Sequence, residues 1–494
     1  MKKGKLRMKK SVEFDYRIPL MMSSPMQLNR INEPIVKTIQ FLDEYEAPEA
    51  DTIQLLSQED VEIPIQFFNP VVAAGKLVSV DVAFLCNIDH TETVYYLCYD
   101  AAKSVYTKED DVKFRPCCIE GIRQLPTRLK DGFRRLDTGY YILEFCRGNG
   151  GGDISSKWGI RSIQAKAEGK DLMRGTGENA MGGLYGPFFT VNNGLINAPE
   201  TTVAEIDVLV EGPLYCKYLL HGMFPNGLDP KLYNKEFKVT WEFFYMSPWF
   251  RRYVETTPFE TTVDGMPVKN QITVGDEFDS GPNNVVFDRF VSYGGTDYRE
   301  GDRYAVVLEE FVLKVLKEKG DSNELFRACK EMVGDNIHKL SWDYFWQIFG
   351  KGMGYLSDEE IKVYSQQILK KAHYVTHMKD GRRGDIKHAD FVNVPDVIDQ
   401  TIFPTATKKT MHYSTETGYG MIWYTSNPSA RLQIVQKRSS GWVNWGSNGE
   451  NEYPALPIPA YVYNAYGKWG NWENEADKME YPIEFLQGIT LAKG

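Results

Sequence analysis

Three carboxylates lie close together in a short segment in the middle of the chain, residues 274–284, which contains Asp276, Glu277 and Asp279. Hydrolysis of a glycosidic bond requires one carboxyl group as the acid and a second as the base or nucleophile. In an extended strand, Glu277 and Asp279 would share a face, roughly 6 to 7 Å apart. The spacing therefore predicts a catalytic pair in a turn-rich stretch after a strand. A solvated acidic turn is the structural alternative.

A second segment, residues 441–453, combines aromatic, amide and acidic side chains: Trp442, Asn444, Trp445, Asn448 and Glu450. Tryptophan offers a flat apolar face to the C–H surface of a sugar, and amides hydrogen-bond its hydroxyls. We predict a ligand-contacting loop here, with Glu450 as a third candidate carboxylate. A glycine-rich hairpin with core tryptophans is the alternative.

Arg161 follows Trp158 and is a candidate to bind the carboxylate of a uronate sugar, or else to form a surface ion pair. The glycine-rich stretch 147–153 lacks the lysine and the Ser/Thr of a phosphate loop, which argues against nucleotide binding. We predict a flap or a hairpin tip there.

His373 and His377 are four residues apart near the end of a predicted helix, so they would lie on one face and would suit a divalent metal ion. The favourable interaction of histidine with a helix C-terminus explains the same pattern without a metal. No cofactor and no metal is predicted elsewhere. Elimination chemistry on a uronide needs a base such as His or Tyr, for which His412, Tyr413 and the His373/His377 pair are candidates.

The bulk properties exclude several classes of protein. A formal charge of -10, with basic residues scattered along the chain, is unsuited to nucleic acid. No run approaches the roughly 18 apolar residues of a membrane span, and the basic N-terminus lacks the apolar stretch of a signal peptide. The seven cysteines are an odd number without a zinc-site pattern. We therefore expect reduced thiols and a cytoplasmic, bacterial-type protein with no membrane partner. The sequence leaves both a monomer and a homo-oligomer open.

Alternation of apolar and polar residues predicts strands along most of the chain. Residues 77–84 and 92–99 predict a hairpin across Asp89, inside an N-terminal β-rich module of residues 1–120. A capping box at Ser357 and Glu360 begins a helical pattern, so a helical insertion is predicted at 304–378. Strands return after it. The remainder, 121–494, is predicted as one large domain of stacked antiparallel sheets.

Four segments and the glycine-rich loop between the first two resemble the β-supersandwich of galactose-mutarotase-like domains: Tyr140-Tyr141-Ile142-Leu143-Glu144, Lys157-Trp158-Gly159-Ile160-Arg161, Tyr185-Gly186-Pro187-Phe188-Phe189 and Val210-Glu211-Gly212-Pro213-Leu214. The resemblance covers about 130–300 and 411–490 and implies a mainly β fold, a large antiparallel supersandwich with a broad sheet face suited to a sugar chain. In that family, mutarotase activity needs paired histidines and a glutamate. In this chain, only His221 matches one of these residues, the second histidine.

These patterns together predict a carbohydrate-active enzyme, first a glycoside hydrolase that acts on short oligosaccharides through Glu277, Asp279 and Glu450. A lyase with a His or Tyr base is the enzymatic alternative. A protein that binds carbohydrate without catalysis is the third possibility, because fold alone does not supply chemistry.

Overall fold

The computed structural model describes most of the chain outside its central part: residues 10–42, 44–89, 91–103, 105–151, 157–173, 180–189, 195–197, 202–224, 233–263, 266–278, 287, 289–293, 306–307, 340–341, 392–393, 405–406, 409–414, 416–426, 431–437, 440–445 and 456–493. The predicted helical insertion at 304–378 lies outside the described residues, apart from two short strands. The same holds for His373 and His377.

The described chain is built mainly of strands. The first group is β1 (Tyr16–Ser23), β2 (Arg30–Gln40), β3 (Gln54–Leu56), β4 (Glu62–Ile63), β5 (Ile65–Ala73), β6 (Lys76–Ile88) and β7 (Glu92–Tyr99). The second group is β8 (Arg123–Leu125), β9 (Gly132–Asp137), β10 (Tyr141–Cys146), β11 (Gly159–Ala165), β12 (Met181–Phe189), β13 (Leu195–Asn197), β14 (Glu205–Val210), β15 (Tyr215–Met223), β16 (Glu236–Phe244) and β17 (Trp249–Thr256).

The later strands are β18 (Glu260–Val263), β19 (Met266–Lys269), β20 (Gln271–Phe278), β21 (Arg289–Tyr293), β22 (Val306–Val307), β23 (Leu340–Ser341), β24 (Val392–Asn393), β25 (Thr405–Ala406), β26 (Lys409–Tyr413), β27 (Gly420–Thr425), β28 (Arg431–Lys437), β29 (Ser440–Trp445), β30 (Leu456–Pro457), β31 (Ala460–Gly467), β32 (Glu484–Gln487) and β33 (Leu491–Ala492). Short 3-10 turns occur at Ser11–Glu13, Pro25–Gln27, Ala50–Thr52 and Glu109–Asp111. The helix α1 spans Trp472–Glu480.

Two large antiparallel sheets form the main body, as the sequence predicts. Within the described residues, the eleven-strand sheet has the order β25-β28-β29-β20-β12-β11-β10-β9-β8, with β13 on β12 and β30 on β20. The nine-strand sheet has the order β14-β15-β16-β17-β31-β27-β26-β21-β24. Their facing sides share one core, in which Leu143, Trp158, Trp241 and Trp423 are fully buried. The mainly β sandwich predicted from the sequence is therefore confirmed.

The N-terminal module contains two further sheets. One has the order β32-β1-β7-β3-β4, with β33 also on β1, and the other is β2-β6-β5. Strands β6 and β7, which alternation predicts as a hairpin, lie in different sheets, so that prediction is wrong. Alternation indicates which face of a strand is buried but does not select the neighbouring strand.

The C-terminal strands belong to the first sheet by backbone pairing, because Leu20 of β1 is opposite Gln487 of β32. The first sheet therefore contains strands from both ends of the chain. The division of the chain at residue 120 stays a prediction. The module also contacts the sandwich through Gln66. Its Oε1 accepts the backbone N–H groups of Leu214 and Tyr215, both at 2.9 Å. A buried amide thus satisfies the start of β15.

Helix α1 packs on the outer face of the nine-strand sheet. Asn471 caps it by accepting the backbone N–H of Asn474 at 3.2 Å. The buried residues Trp472, Ala476 and Met479 are spaced by four and three positions, which is one face of a helix. That face contacts Ile422 of β27 and its neighbours.

Candidate active site

Strand pairing brings the acidic segment and the tryptophan segment together. In the register of β20 with β29, Glu277 is directly opposite Trp442, and Gly275 is opposite Asn444. Directly opposite residues of an antiparallel pair share a face, with Cβ atoms about 4.5–5.5 Å apart. Two stretches that are far apart in sequence therefore converge on one patch of the eleven-strand sheet.

The burial of neighbouring residues shows which face of the sheet this patch occupies. Asp276 and Phe278, on either side of Glu277, are buried in the core between the two sheets. Because alternate residues of a strand occupy opposite faces, position 277 is on the outer face, together with position 442. Trp445 is opposite Val274 and belongs to the core-side positions. The two candidate tryptophans are thus on opposite faces.

Two expectations about these segments are wrong at the level of secondary structure. Residues 274–278 belong to strand β20 rather than to a turn after a strand, and residues 441–445 belong to strand β29 rather than to a loop. The glycines in both segments suggested turns, but pairing with neighbouring strands overrides that local preference. Asp279, Asn448 and Glu450 lie outside the described residues.

Arg161 belongs to the same region of the sheet. Ile160 of β11 is opposite Met181 of β12, and Met181 is opposite Asp276 of β20. Strands β11 and β20 both run antiparallel to β12, so the next residue along each, Arg161 and Glu277, is displaced in the same direction. With neighbouring strands about 4.8 Å apart, their backbones are separated by about 10 Å.

The guanidinium of Arg161 is held by a carboxylate that the sequence reasoning missed. Its Nη1 donates to both carboxylate oxygens of Asp131, at 2.9 and 2.8 Å, and Arg161 is only 5% exposed. Asp131 also accepts the backbone N–H of Gly148, at 3.0 Å, which anchors the start of the glycine-rich loop. Asp131 stands in an ordinary turn, so its role could be found only from the fold.

A buried cysteine, Cys146, lies close to the ion pair of Arg161 and Asp131. Cys146, at the end of β10, is fully buried, and burial raises the pKa of its thiol, with the carboxylate of Asp131 adding to the effect. The thiolate is the nucleophilic form of cysteine. Cys146 is therefore a packing residue at the margin of the patch.

Beneath Glu277, on the core side, a polar network ties the two sheets together. Both terminal nitrogens of Arg252 donate to the carboxylate of Asp276, at 2.7 and 2.8 Å. Trp423 Nε1 donates to the same carboxylate at 2.8 Å, and Arg252 Nη2 donates to Asn464 Oδ1 at 2.9 Å. Arg252 also lies 5.0 Å from the centre of the Trp241 ring. Asp276 is thereby a structural residue that fixes the strand carrying Glu277.

The histidines considered for elimination chemistry are placed elsewhere by strand pairing. His412 and Tyr413 lie in β26 of the nine-strand sheet, and His412 is opposite Met421, whose side chain is in the core. His221 is in β15 of the same sheet, with its Nε2 3.1 Å from Asp207 Oδ2. Strand register thus associates neither His412 nor His221 with Glu277.

The described cysteines are free thiols rather than disulfides: Cys86, Cys98, Cys117, Cys118, Cys146 and Cys216. Burial raises the pKa of both Cys86 and Cys98 to about 12. Within the described residues, no group of three or more His, Cys, Asp or Glu side chains is arranged to hold a metal ion. No helix in that part of the chain is long and apolar enough to cross a membrane.

No protein-family model and no curated protein matches this chain. Solved structures with a similar arrangement include an α-mannosidase from Enterococcus faecalis V583, at 8% identity and a TM-score of 0.45, covering 97% of this chain and 46% of the other. A glycosyl hydrolase family 38 protein from the same species has 8% identity and a TM-score of 0.46, covering 99% and 49%.

A galactose 1-epimerase from Lactobacillus acidophilus NCFM has 9% identity and a TM-score of 0.30, covering 71% of this chain and 99% of the other. The present chain spans about half the length of the two enterococcal structures. At TM-scores this low, the likeness assigns no function to this chain.

Proposed function

We propose that this protein is a glycoside hydrolase that cleaves short oligosaccharides on the outer face of the eleven-strand sheet. The observation that carries the proposal is the register that sets Glu277 directly opposite Trp442. A carboxylate beside a flat aromatic residue is the combination that positions a sugar ring next to an acid or nucleophile. Neither segment alone distinguishes this arrangement from a surface turn.

Each residue has a role in this proposal. Glu277 supplies one carboxyl group, and Asp279 or Glu450 supplies the second. Trp442 binds the apolar face of a sugar ring, and Asn444, opposite Gly275, hydrogen-bonds a hydroxyl. Asp131 balances the charge of Arg161, so this end of the patch favours neutral sugars over uronates.

The test is a panel of short neutral oligosaccharides, together with oligouronates, incubated with the protein and analysed by mass spectrometry. Once a cleaved sugar is found, Glu277→Gln, Asp279→Asn and Glu450→Gln are compared with the native protein. We expect Glu277→Gln and one of the other two to lose at least about a hundredfold in turnover, the usual scale for loss of acid–base catalysis. Native turnover in all three variants would overturn the proposal.

Two controls make the result specific. Glu236→Gln removes an exposed carboxylate at the start of β16 in the other sheet, and we expect it to keep native turnover. Products are also followed in the near ultraviolet, because elimination across a uronide gives an absorbing unsaturated product and hydrolysis does not. An absorbing product that depends on His412 or Tyr413 would replace hydrolysis with the lyase alternative.

A further inference from the structure

Three tyrosines form a continuous stripe on the outer face of the nine-strand sheet. The ring centres of Tyr253 and Tyr461 are 4.6 Å apart, and those of Tyr461 and Tyr463 are 6.1 Å apart. Their strand neighbours Arg252 and Val462 are buried in the core, so alternation places the tyrosines on the opposite face. These three residues are called the tyrosine stripe below.

The stripe extends along the strands away from two parts of the sheet face that are already covered. Helix α1 covers the sheet around Ile422 and Ala465. The N-terminal module covers it around Tyr215 and Phe244, where Ala83 contacts the sheet. Tyr461, four residues along β31 from Ala465, is 40% exposed.

The positive charge beside the tyrosine stripe is paired with a negative one. Arg251 lies beside Tyr461, with its guanidinium carbon 5.7 Å from the ring centre. Glu242 pairs with it, accepting Arg251 Nη2 at 3.2 Å and the shorter hydrogen bond from Nε. The surface therefore presents aromatic rings and hydroxyl groups without excess charge, which disfavours a strongly charged ligand.

The stripe leads into a cavity of about 150 Å³ at the junction of three elements of the fold. Tyr463 and Arg251 line it from the sheet, Glu33 from β2 of the N-terminal module, and Lys478 from α1. The walls combine apolar rings with a few polar groups, which is the usual make-up of a small-ligand pocket. The stripe and the cavity form one continuous surface.

We propose that the tyrosine stripe and this cavity bind a neutral saccharide chain, as a second site separate from the Glu277 face. Tyrosine rings supply flat apolar contacts, and their hydroxyls, with the polar groups of the cavity, supply hydrogen bonds to sugar hydroxyls. The size argues against a protein partner, because stable protein interfaces bury about 800 Å² on each side and this stripe is three rings wide. The site retains long chains while the other sheet handles short ones.

The test is native affinity electrophoresis in gels containing dextran, mixed-linkage β-glucan, mannan, galactan or polygalacturonate. We expect at least one neutral polysaccharide to retard the protein. Tyr461→Ala and Tyr253→Ala should weaken that retardation by about tenfold in dissociation constant, a change of about 1.4 kcal/mol. Tyr233→Ala, which alters a tyrosine that is 42% exposed outside the stripe, is the matched control and should behave like the native protein.

Several outcomes would overturn the proposal. These are no retardation by any neutral polysaccharide, equal retardation of Tyr461→Ala and the native protein, or retardation by polygalacturonate alone. Sizing of the native protein and Tyr461→Ala tests whether a second copy covers the stripe, since a loss of dimer in the variant would assign the surface to self-association. Turnover of short oligosaccharides is measured in parallel. It should be unchanged by Tyr461→Ala and lost in Glu277→Gln, which separates failure of this site from failure of the proposed hydrolase.

Discussion

Arg252 of β17 and Asp276 of β20 form a buried ion pair across the two large sheets, with nitrogen–oxygen distances of 2.7 and 2.8 Å. Both side chains are almost completely excluded from solvent. A charge in such a position is tolerated only with its partner, because removal of one partner leaves the other desolvated and uncompensated. The pair therefore stabilises the fold and also fixes the position of β20, the strand that carries Glu277.

Replacement of either partner alone should destabilise the protein strongly. For Asp276→Asn and for Arg252→Met we expect losses of about 3–5 kcal/mol in the free energy of unfolding, measured by urea denaturation. The double variant Arg252→Met/Asp276→Leu should recover part of that loss, since no buried charge remains. Additive losses in the double variant would show that the two charges do not depend on each other.

The two tryptophans of β29 should respond differently to truncation. Trp442→Ala changes a position on the outer face, so we expect a weaker apparent affinity for the sugar and an unfolding free energy within about 0.5 kcal/mol of native. Trp445→Ala changes a core-side position and should lose about 3–5 kcal/mol of stability. Thermal denaturation and substrate titration of both variants measure this. Equal loss of stability in both would contradict the register.

Asp137 should contribute stability that disappears in acid. Burial alone would raise the pKa of its carboxyl group, but hydrogen bonds from Arg123, the Gly139 backbone N–H and Lys166 outweigh burial and lower the pKa. The contribution is therefore complete above the ordinary pKa of about 3.9 for aspartate and is lost as the pH falls through the lower folded value. Both cationic side chains are partly exposed and screened by solvent, so we expect about 1–2 kcal/mol.

Denaturation of native protein and Asp137→Asn at a series of pH values measures this effect. The difference in unfolding free energy should be constant from neutral pH to about pH 4 and should shrink at lower pH. A difference that grows on acidification would mean that the folded pKa is raised instead.

Thiol reactivity should follow burial. Cys118 is exposed, whereas Cys86 and Cys98 are buried with pKa values of about 12. In the native protein at pH 8, a disulfide reagent should react with Cys118 in a phase that Cys118→Ser removes and Cys86→Ser leaves intact. Reaction of Cys86 should require denaturant. Rapid labelling of Cys86 in the folded protein would show that its strand opens readily.

The sequence was sufficient to predict the class of fold because alternation in strands such as β6 and β15 reports which face is buried. It was insufficient for strand partners, as the separation of β6 from β7 shows. Arg252 illustrates a second limit. The residues on either side of it alternate as in a half-buried strand. An arginine on the core side is explained only by the fold, which places Asp276 of the other sheet within hydrogen-bond distance.

For the candidate site, residue types in two segments suggested carbohydrate chemistry, but their proximity depends on the pairing of β20 with β29. Such pairing joins residues far apart in sequence and leaves no local signal. The same reason hid Asp131, whose importance comes from Arg161 on another strand.

The first sheet of this protein is completed by strands that follow the whole sandwich in the chain, because β32 and β33 both pair with β1. Until those residues emerge, one side of β1 is an open edge with unpaired backbone groups, which invites pairing with other chains. Full assembly of the N-terminal module therefore follows synthesis of the sandwich. Cutting the gene at the apparent module boundary would remove β32 and β33 and yield a fragment prone to aggregate through the open edge of β1.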